Sequence, residues 1–234
     1  MIFNFPHQSE DALESDLRIL TDVLAVDQAS WYPLMTTDST SRPMARRIGV
    51  VDHSRERKYY EKISRHMLQK GYERSSAWCF SRQPGMFDEY IVEHEEYVGL
   101  GSGAFSYLAG TMYANTFSIN NYLRLIGAGQ TGVTRKRDLD QLEQMRYFLL
   151  MRLFSGRMSL DDAEKRFAGQ FGRVMWRDLA GLRLIGAVKS DAANLCLTEF
   201  GYYLWVVLMR EFFSGINNIR DDMRHHISEE ASLA

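Results

Sequence analysis

The sequence is short of cysteine, of proline and of net charge. Among 234 residues there are two cysteines, Cys79 and Cys196. That excludes a disulfide framework of the secreted kind. It also excludes an iron–sulfur cluster or zinc site built from three or four cysteines of this chain alone. The four prolines, Pro6, Pro33, Pro43 and Pro84, all lie in the first 84 residues. Proline interrupts helices and central strands, so the first part reads as loop-punctuated and the remainder as helix-rich. Lys and Arg number 28 against 30 Asp and Glu, a formal charge of −2, which gives no global attraction to polyanions. The one long uncharged stretch, Tyr97 to Leu123, has the length of a membrane span. Its Gly99, Gly101, Gly103, Gly110, Asn115, Asn120 and Asn121 make it a better candidate for turns, a hairpin and a ligand-lining loop. The N-terminal stretch has no basic lead and too short an apolar run for a signal peptide. The expectation is a cytoplasmic protein with no membrane partner.

What is present supports a folded chain: 45% hydrophobic and 12% aromatic residues can build one sizeable core or two smaller ones that share an interface. Ile2 to Phe5 is a short apolar run. Ala12, Leu13, Leu17, Leu20 and Leu24 recur at helical spacing after Ser9, a plausible N-cap. Ala29 to Met35 reads as a strand, Ser54 to Lys70 as a helix stopped at Gly71, and Tyr72 to Phe80 as a third strand. The order β-α-β-α-β predicts parallel strands with covering helices, and the first strand needs a neighbour that the chain does not obviously provide. Later, Asp138 to Phe154 predicts a helix, Ser159 opens a short one, and Gln170 to Leu184 forms a third. Gly186 to Leu197 reads as a hairpin, and Thr198-Glu199 starts a long apolar helix through Phe213. That arrangement is winged-helix-like. Ser228 to Ala234 reads as a frayed polar tail.

Few residues point to chemistry by spacing alone. The cluster Gly99-Leu-Gly-Ser-Gly-Ala-Phe-Ser106 lets backbone approach a ligand or turn tightly on itself, and both readings stay open. It lacks the spacing of a dinucleotide fingerprint, and no phosphate-loop Lys-Ser/Thr follows. His53, His66 and His94 are isolated, and His225-His226 reads as a solvated pair. Glu93, Glu95 and Glu96 could supply a base or a metal ligand but suit a solvated loop better. Arg135-Lys136-Arg137 is a basic run, and residues 130–190 carry twelve Lys and Arg against seven Asp and Glu. With Arg173, Arg177 and Arg183 on a candidate recognition helix, this keeps a DNA-binding regulator as a third reading, although nucleic acid is not the expected partner.

Four segments in order carry a resemblance. Met1-Ile-Phe-Asn-Phe-Pro-His-Gln-Ser resembles a strand-to-helix segment usually written Asp-Leu-Ile-Tyr-Gly-Leu-Pro-x-Gln-Thr. Lys70-Gly71-Tyr72-Glu73 with Phe80-Ser81-Arg82 resembles "GYE…FAR". Tyr97 to Ser106 with Tyr113-Ala114-Asn115 resembles "LGxGxxAxS…YxN", and Leu197-Thr198-Glu199-Phe200-Gly201 resembles "LTxxG". These are segments of oxygen-independent coproporphyrinogen III oxidases and related radical S-adenosylmethionine (SAM) proteins. Asn4 stands where the usual residue is glycine, and Phe105 is bulkier than the aliphatic residue often found there.

The resemblance implies a fold in three parts: residues 1–96 as the C-terminal half of a partial (β/α) barrel, 97–129 as glycine loop, hairpin and linking helix, and 130–234 as a winged-helix-like C-terminal domain. It implies that Met35, Gly101, Ser102, Gly103 and Phe105 face SAM or substrate. No catalytic residue and no metal ligand is assigned. Intact members hold a [4Fe–4S] cluster on Cys-x3-Cys-x2-Cys and bind SAM at its open iron. That motif is absent from these 234 residues, so the cluster is not expected on this chain alone. The implied ligand is a tetrapyrrole, and the implied partner is a missing N-terminal half or another chain covering the first strand. The leading expectation is the C-terminal region of a porphyrin-metabolising oxidoreductase, inactive alone. The alternative is a non-catalytic haem- or tetrapyrrole-binding module or haem chaperone.

Overall fold

A computed structural model describes residues 1–83 and 96–227. Glu93, His94, Glu95 and the tail from Ser228 lie outside the described residues. The first sheet is built around one segment that pairs on both edges. β1 (Ile2–Phe3) runs parallel to β3 (Tyr32–Pro33), with Ile2 opposite Tyr32. β2 (Gln28–Ser30), just before β3, instead pairs antiparallel with β5 (Cys79–Ser81), which also pairs with β4 (Glu73–Arg74). Trp31 N–H donates to Trp78 O at 2.7 Å and Tyr32 N–H to Met1 O at 2.9 Å, so the two ladders occupy opposite edges of residues 28–33.

The all-parallel expectation therefore holds only for the first pair. Tyr72 to Phe80 is a hairpin rather than one strand, turning at Ser75-Ser76-Ala77-Trp78, with Ser75 N–H donating to Cys79 O at 2.9 Å. Reversing direction there lets Ala77 N–H reach Phe154 O at 2.8 Å, which ties this sheet to the second half of the chain.

The crossover between β1 and β3 is α1 (Glu10–Arg18), capped by Ser9 Oγ accepting from Ala12 N–H at 3.1 Å. It continues as one π-helical turn over Ile19–Val23. Leu13 and Leu17 face the core while Ile19, Val23 and Leu24 stay exposed. Asn4 has φ +68°, the left-handed region that favours glycine, and its fully buried side chain fixes the turn. Its Nδ2 donates to Asp52 O and its Oδ1 accepts from Arg55 Nε. Amide bonding replaces the conformational freedom of the usual glycine.

α2 (Asp38–Ile48), unforeseen from the sequence, starts at a Thr37/Thr40 capping box, tolerates Pro43 inside it and buries no residue. α3 (Glu56–Gln69) follows, and Gly71 at φ +81° ends it.

A second sheet has the order β6-β7-β8: β6 (Phe105–Leu108), β7 (Thr111–Asn115) and β8 (Val133–Asp138), all antiparallel. α4 (Ile119–Gly127) joins β7 to β8. The basic run Arg135-Lys136-Arg137 lies on β8, a sheet edge where charged residues discourage further pairing. Arg135 pairs with Asp222 at 3.1 Å, and Arg137 pairs with Glu143.

α5 (Gln141–Phe154) begins at an Asp140/Glu143 capping box. Beyond it come β9 (Arg157–Ser159), α6 (Leu160–Arg166), α7 (Phe171–Val174) and α8 (Trp176–Leu184). β10 (Val188–Asp191) and β11 (Asn194–Leu197) form the expected hairpin, to which β9 adds a third strand. α9 (Glu199–His225) runs twelve residues past the expected end at Phe213.

One apolar core runs from Phe3 to Met209. Trp78 packs edge-on against Phe154 at 4.9 Å, and Trp205 donates its indole N–H to Leu150 O at 2.9 Å. Aromatic rings at these junctions bury the most apolar surface per residue and so bind the first part to the second. Among the described residues no helix is long and apolar enough to cross a membrane.

Candidate functional site

The glycine loop is a tightly stapled turn. Gly99 N–H donates to Ser106 Oγ, and Gly101 N–H to Tyr122 Oη. Ser102 Oγ and Gly103 N–H both donate to Thr116 O, at 2.9 and 2.8 Å. Asn115 Nδ2 closes the loop by donating to the carbonyls of Gly99 and Gly101. A Cβ on Gly99 would lie 2.1 Å from Phe105 O, and one on Gly103 would meet the Phe117 ring at 2.6 Å. Gly101, at φ +101°, has open space around its Cα. The cluster is thus a close structural crossing whose one open face is at Gly101.

We therefore expect destabilisation in the order Gly99→Ala, Gly103→Ala, Gly101→Ala. The first collides with backbone, the second with a ring that can turn aside, and the third carries only backbone strain of about 1 kcal/mol. Amide hydrogen exchange at Tyr107 and Asn115, whose N–H groups bond within this loop, reads that order directly.

Phe105 and Tyr107 face one side of the hairpin, and Ser106 and Leu108 the other. On the Ser106 side lies a cleft of about 430 Å³ lined mainly by Val98, Leu100, Leu108, Tyr113, Tyr122 and Ile126. On the Phe105 side the hairpin meets α5 and α9. Tyr107 packs on Tyr147 at 4.5 Å, and Tyr147 on Phe212 at 6.1 Å. Phe212 meets Phe213 at 5.2 Å, Phe213 meets Trp78 at 5.9 Å, and Trp78 meets Tyr32 at 5.0 Å. This aromatic run links the glycine hairpin to the strand that leads into Met35. Met35 is half-buried against the core at the end of that strand.

The C-terminal turns of α9 close the link. Asn218 accepts from Asp38 N–H at 2.9 Å, and Ser39 donates to Asp221. The Arg220 guanidinium lies over the Phe105 ring at 5.4 Å, and that of Arg224 over Phe117 at 5.1 Å. Thus Gly101, Ser102, Gly103 and Phe105 form one loop. Met35 lies apart from that loop, linked to it by the aromatic run and, through α2, by the end of α9.

Burial pushes the Tyr97 and Tyr147 phenols upward, with the hydrogen bond between them pulling Tyr97 down and Tyr147 further up. Both remain protonated hydroxyl donors at neutral pH.

The sequence did not single out Tyr147, Phe212 or Arg220. Met209, Phe213, Ile216, Arg220 and Met223 continue the helical spacing of α9, the signal that would have extended it. Arg173, Arg177 and Arg183 are exposed around α7 and α8. Two of the three charges in the basic run are spent on this chain's own carboxylates, so the run no longer favours nucleic acid.

A [4Fe–4S] cluster does not fit the residues present. Cys79 is buried with Gln28 Nε2 on its sulfur at 2.9 Å, while Cys196 lies in a different sheet. Among the described residues no group of three His, Cys, Asp or Glu could hold a metal ion. SAM would meet a loop whose Gly101 and Gly103 N–H groups already have acceptors. Contact there would come from the glycine Cα surface and the Phe105 ring.

In fold and in the order of its motifs the chain is similar to HemN- and HemW-type proteins over the part of them that it covers. No family model matches the sequence. Among curated proteins it is similar to the haem chaperone HemW of Lactococcus lactis subsp. lactis (strain IL1403), 25% identical over 214 residues, which is 87% of this chain and 55% of HemW. Among solved structures it is similar to HemN of Escherichia coli, described as a coproporphyrinogen III oxidase and radical SAM enzyme. There the TM-score is 0.65 at 17% identity, covering 95% of this chain and 53% of HemN. The chain spans about half the length of each.

Proposed function

We propose that this chain is the ligand-positioning part of a tetrapyrrole-handling protein of radical SAM type, inactive by itself as a radical enzyme. The observations that support the reading are the similarity to HemN and HemW and the half-buried Phe105 ring on the glycine loop whose open face is at Gly101. An apolar ring beside an open glycine Cα face suits a flat macrocycle, which binds by stacking and burial. In this reading Met35, Gly101, Ser102, Gly103 and Phe105 border the ligand.

Residues 1–96 are then the C-terminal half of a partial barrel, supported by the parallel β1-α1-β3 unit. Residues 97–129 form the glycine loop, hairpin and linking helix. Residues 130–234 are winged-helix-like, supported by the three-stranded β10-β11-β9 sheet beside α6 to α8. Further polypeptide, either a preceding half or a partner chain, covers the outer edge of β1. Met1 and Ile2 are exposed there, and a pocket of about 340 Å³ opens beside Leu20, Val26 and Tyr32. Such an edge invites another strand. That polypeptide also brings the cluster cysteines. An upstream reading frame encoding Cys-x3-Cys-x2-Cys is the expected finding, and an unrelated upstream frame counts against the fragment reading.

The second reading, a non-catalytic haem-binding module or chaperone, is favoured by the similarity to the Lactococcus haem chaperone. Both predict a saturable shift of the haem absorption band on titration with the 234-residue chain, and a chain that only scaffolds its neighbours gives none. Anaerobic reconstitution with iron and sulfide separates the radical-enzyme half from this one. We expect no stable cluster spectrum from the chain alone.

A further inference from the structure

The helix α8 is apolar on two sides. Leu179 is buried and Leu182 packs against the core, which accounts for the inner side. Trp176, Ala180 and Leu184 recur every four residues on the outer side, where Trp176 is 58% and Leu184 89% exposed. Ile185, which caps the helix, is exposed next to them. A helix apolar all round is ordinarily covered all round. Between the two large side chains the surface is low, because Ala180 and Gly181 are both exposed and a Cβ on Gly181 would meet nothing. The charges on this side have one sign. Arg177 and Arg183 are exposed, as is Arg173 on α7 just ahead. The Arg177 guanidinium lies over the Trp176 ring at 5.3 Å. Among the described residues none of these three arginines pairs with a carboxylate. The one acid of α8, Asp178, is half-buried and taken by Arg146 at 3.1 Å.

We propose that the outer face of α8 docks an acidic amphipathic helix of a partner protein, its apolar stripe lying along Trp176, Ala180 and Leu184 and its carboxylates taking Arg177 and Arg183. Charge complementarity fixes the sign of the partner, since the face offers guanidiniums and no free acid. The exposed stripe fixes its class. Duplex nucleic acid would answer the arginines but leave Leu184 and Ile185 in water, whereas an apolar helix face covers them. A bilayer is disfavoured because Arg177 falls by helical spacing between Leu184 and Gly181, in the middle of the face, where insertion would bury its charge. The low centre at Ala180 and Gly181 lets a second helix approach closely. Tryptophan and arginine are also the side chains that carry most of the energy at protein interfaces. This surface lies on different elements from the ligand surface proposed above, so the two readings stand or fall separately.

The chain carries its own reporter. Trp31, Trp78 and Trp205 are fully buried, so acrylamide quenching of tryptophan emission reads Trp176. The 234-residue chain is titrated with a helical peptide of leucine, alanine and glutamate whose leucines fall on one face. The same peptide with lysine for glutamate, a scrambled acidic peptide without the stripe, duplex DNA and phosphatidylserine vesicles are run beside it. The striped acidic peptide should protect Trp176 from quenching and shift its emission to the blue. The double variant Arg177→Glu/Arg183→Glu should weaken that peptide about tenfold, and Leu184→Ser about fivefold. Lys136→Glu, an exposed charge reversal on β8, should match the unaltered chain. All the altered side chains are exposed, so each variant should keep the unaltered melting curve, and Leu184→Ser reads the stripe even if the double variant does not fold. Equal binding of the lysine peptide or of the scrambled peptide overturns the proposal, because sign or stripe would then not matter. Protection of Trp176 by DNA or vesicles and not by the striped acidic peptide assigns the face to a polyanion or a membrane and also overturns it, as does no protection by any probe.

Discussion

Gly201→Ala should lower the unfolding temperature by about 10 °C, while Gly215→Ala on the same helix should not lower it at all. Both glycines lie in α9 with ordinary helical backbone, so Ala at either site gains about 1 kcal/mol of helix propensity. They differ in what a methyl group would meet. A Cβ on Gly201 would sit 1.9 Å from Ala187 O and 3.3 Å from Leu197 Cβ, whereas one on Gly215 has open space. The Ala187 carbonyl cannot retreat cheaply, because it accepts from Thr198 N–H at 3.0 Å and from Thr198 Oγ1 at 3.2 Å. Thr198 is itself the N-cap of α9, accepting from Gly201 N–H at 3.0 Å. One added carbon therefore loosens the cap, the β10–β11 hairpin and the helix start together, a net cost of about 3 kcal/mol. Thermal unfolding followed by far-ultraviolet circular dichroism compares the two variants. Equal midpoints would mean that the helix start is not packed as described.

Arg210→Met should destabilise the chain by about 3 kcal/mol, and adding Glu56→Gln should restore much of the loss. Glu56 is fully buried at the start of α3, and its carboxylate oxygens accept from Arg210 Nη1 at 2.5 and 2.6 Å. Tyr203 and His53 are its other neighbours, at 3.5 and 3.3 Å. Removing the arginine leaves a buried carboxylate beside one phenol and one imidazole, which do not replace a guanidinium. Converting that carboxylate to a neutral amide removes the uncompensated charge. The pair joins α3 of the first part to α9 of the second, so its loss loosens the junction that holds the aromatic run in line. Urea unfolding of the two single variants and the double variant completes the cycle, and additive losses would contradict the pairing.

Local signals were the readable part of the sequence. Ser9, Ser159 and Thr198 each announce a helix start, and each caps one. The segment Gly186 to Leu197 announces a hairpin because a short turn separates two runs, and Asp191 pairs with Asn194 across it. α2 was invisible because it buries nothing and so has no apolar period, and because Pro43 argues against it. β8 was invisible for the related reason that an exposed edge strand written Arg-Lys-Arg has no alternation. The turn at Ser75–Trp78 carries neither glycine nor proline, so a hairpin read as one strand. Its direction is set by Ala77 reaching Phe154, a contact 77 residues away that no local pattern encodes.

The site divides the same way. The glycine loop was legible as a unit, since closely spaced glycines demand close approach, and in the structure the loop is stapled by hydrogen bonds with Gly101 left open. Which face Phe105 takes depends on the register of β6 against β7 and on α9, whose apolar density thins after Phe213 while its period persists. Arg220 was hidden in that thinning stretch.

The most direct measurement is hydrogen–deuterium exchange of the 234-residue chain with and without saturating coproporphyrin III. The account predicts protection confined to three separated segments: residues 30–37 around Met35, 97–106 across the glycine loop, and 212–224 on the last turns of α9. Protection centred instead on Tyr122 and Ile126, at the cleft on the opposite face of the hairpin, or no change anywhere, would contradict it.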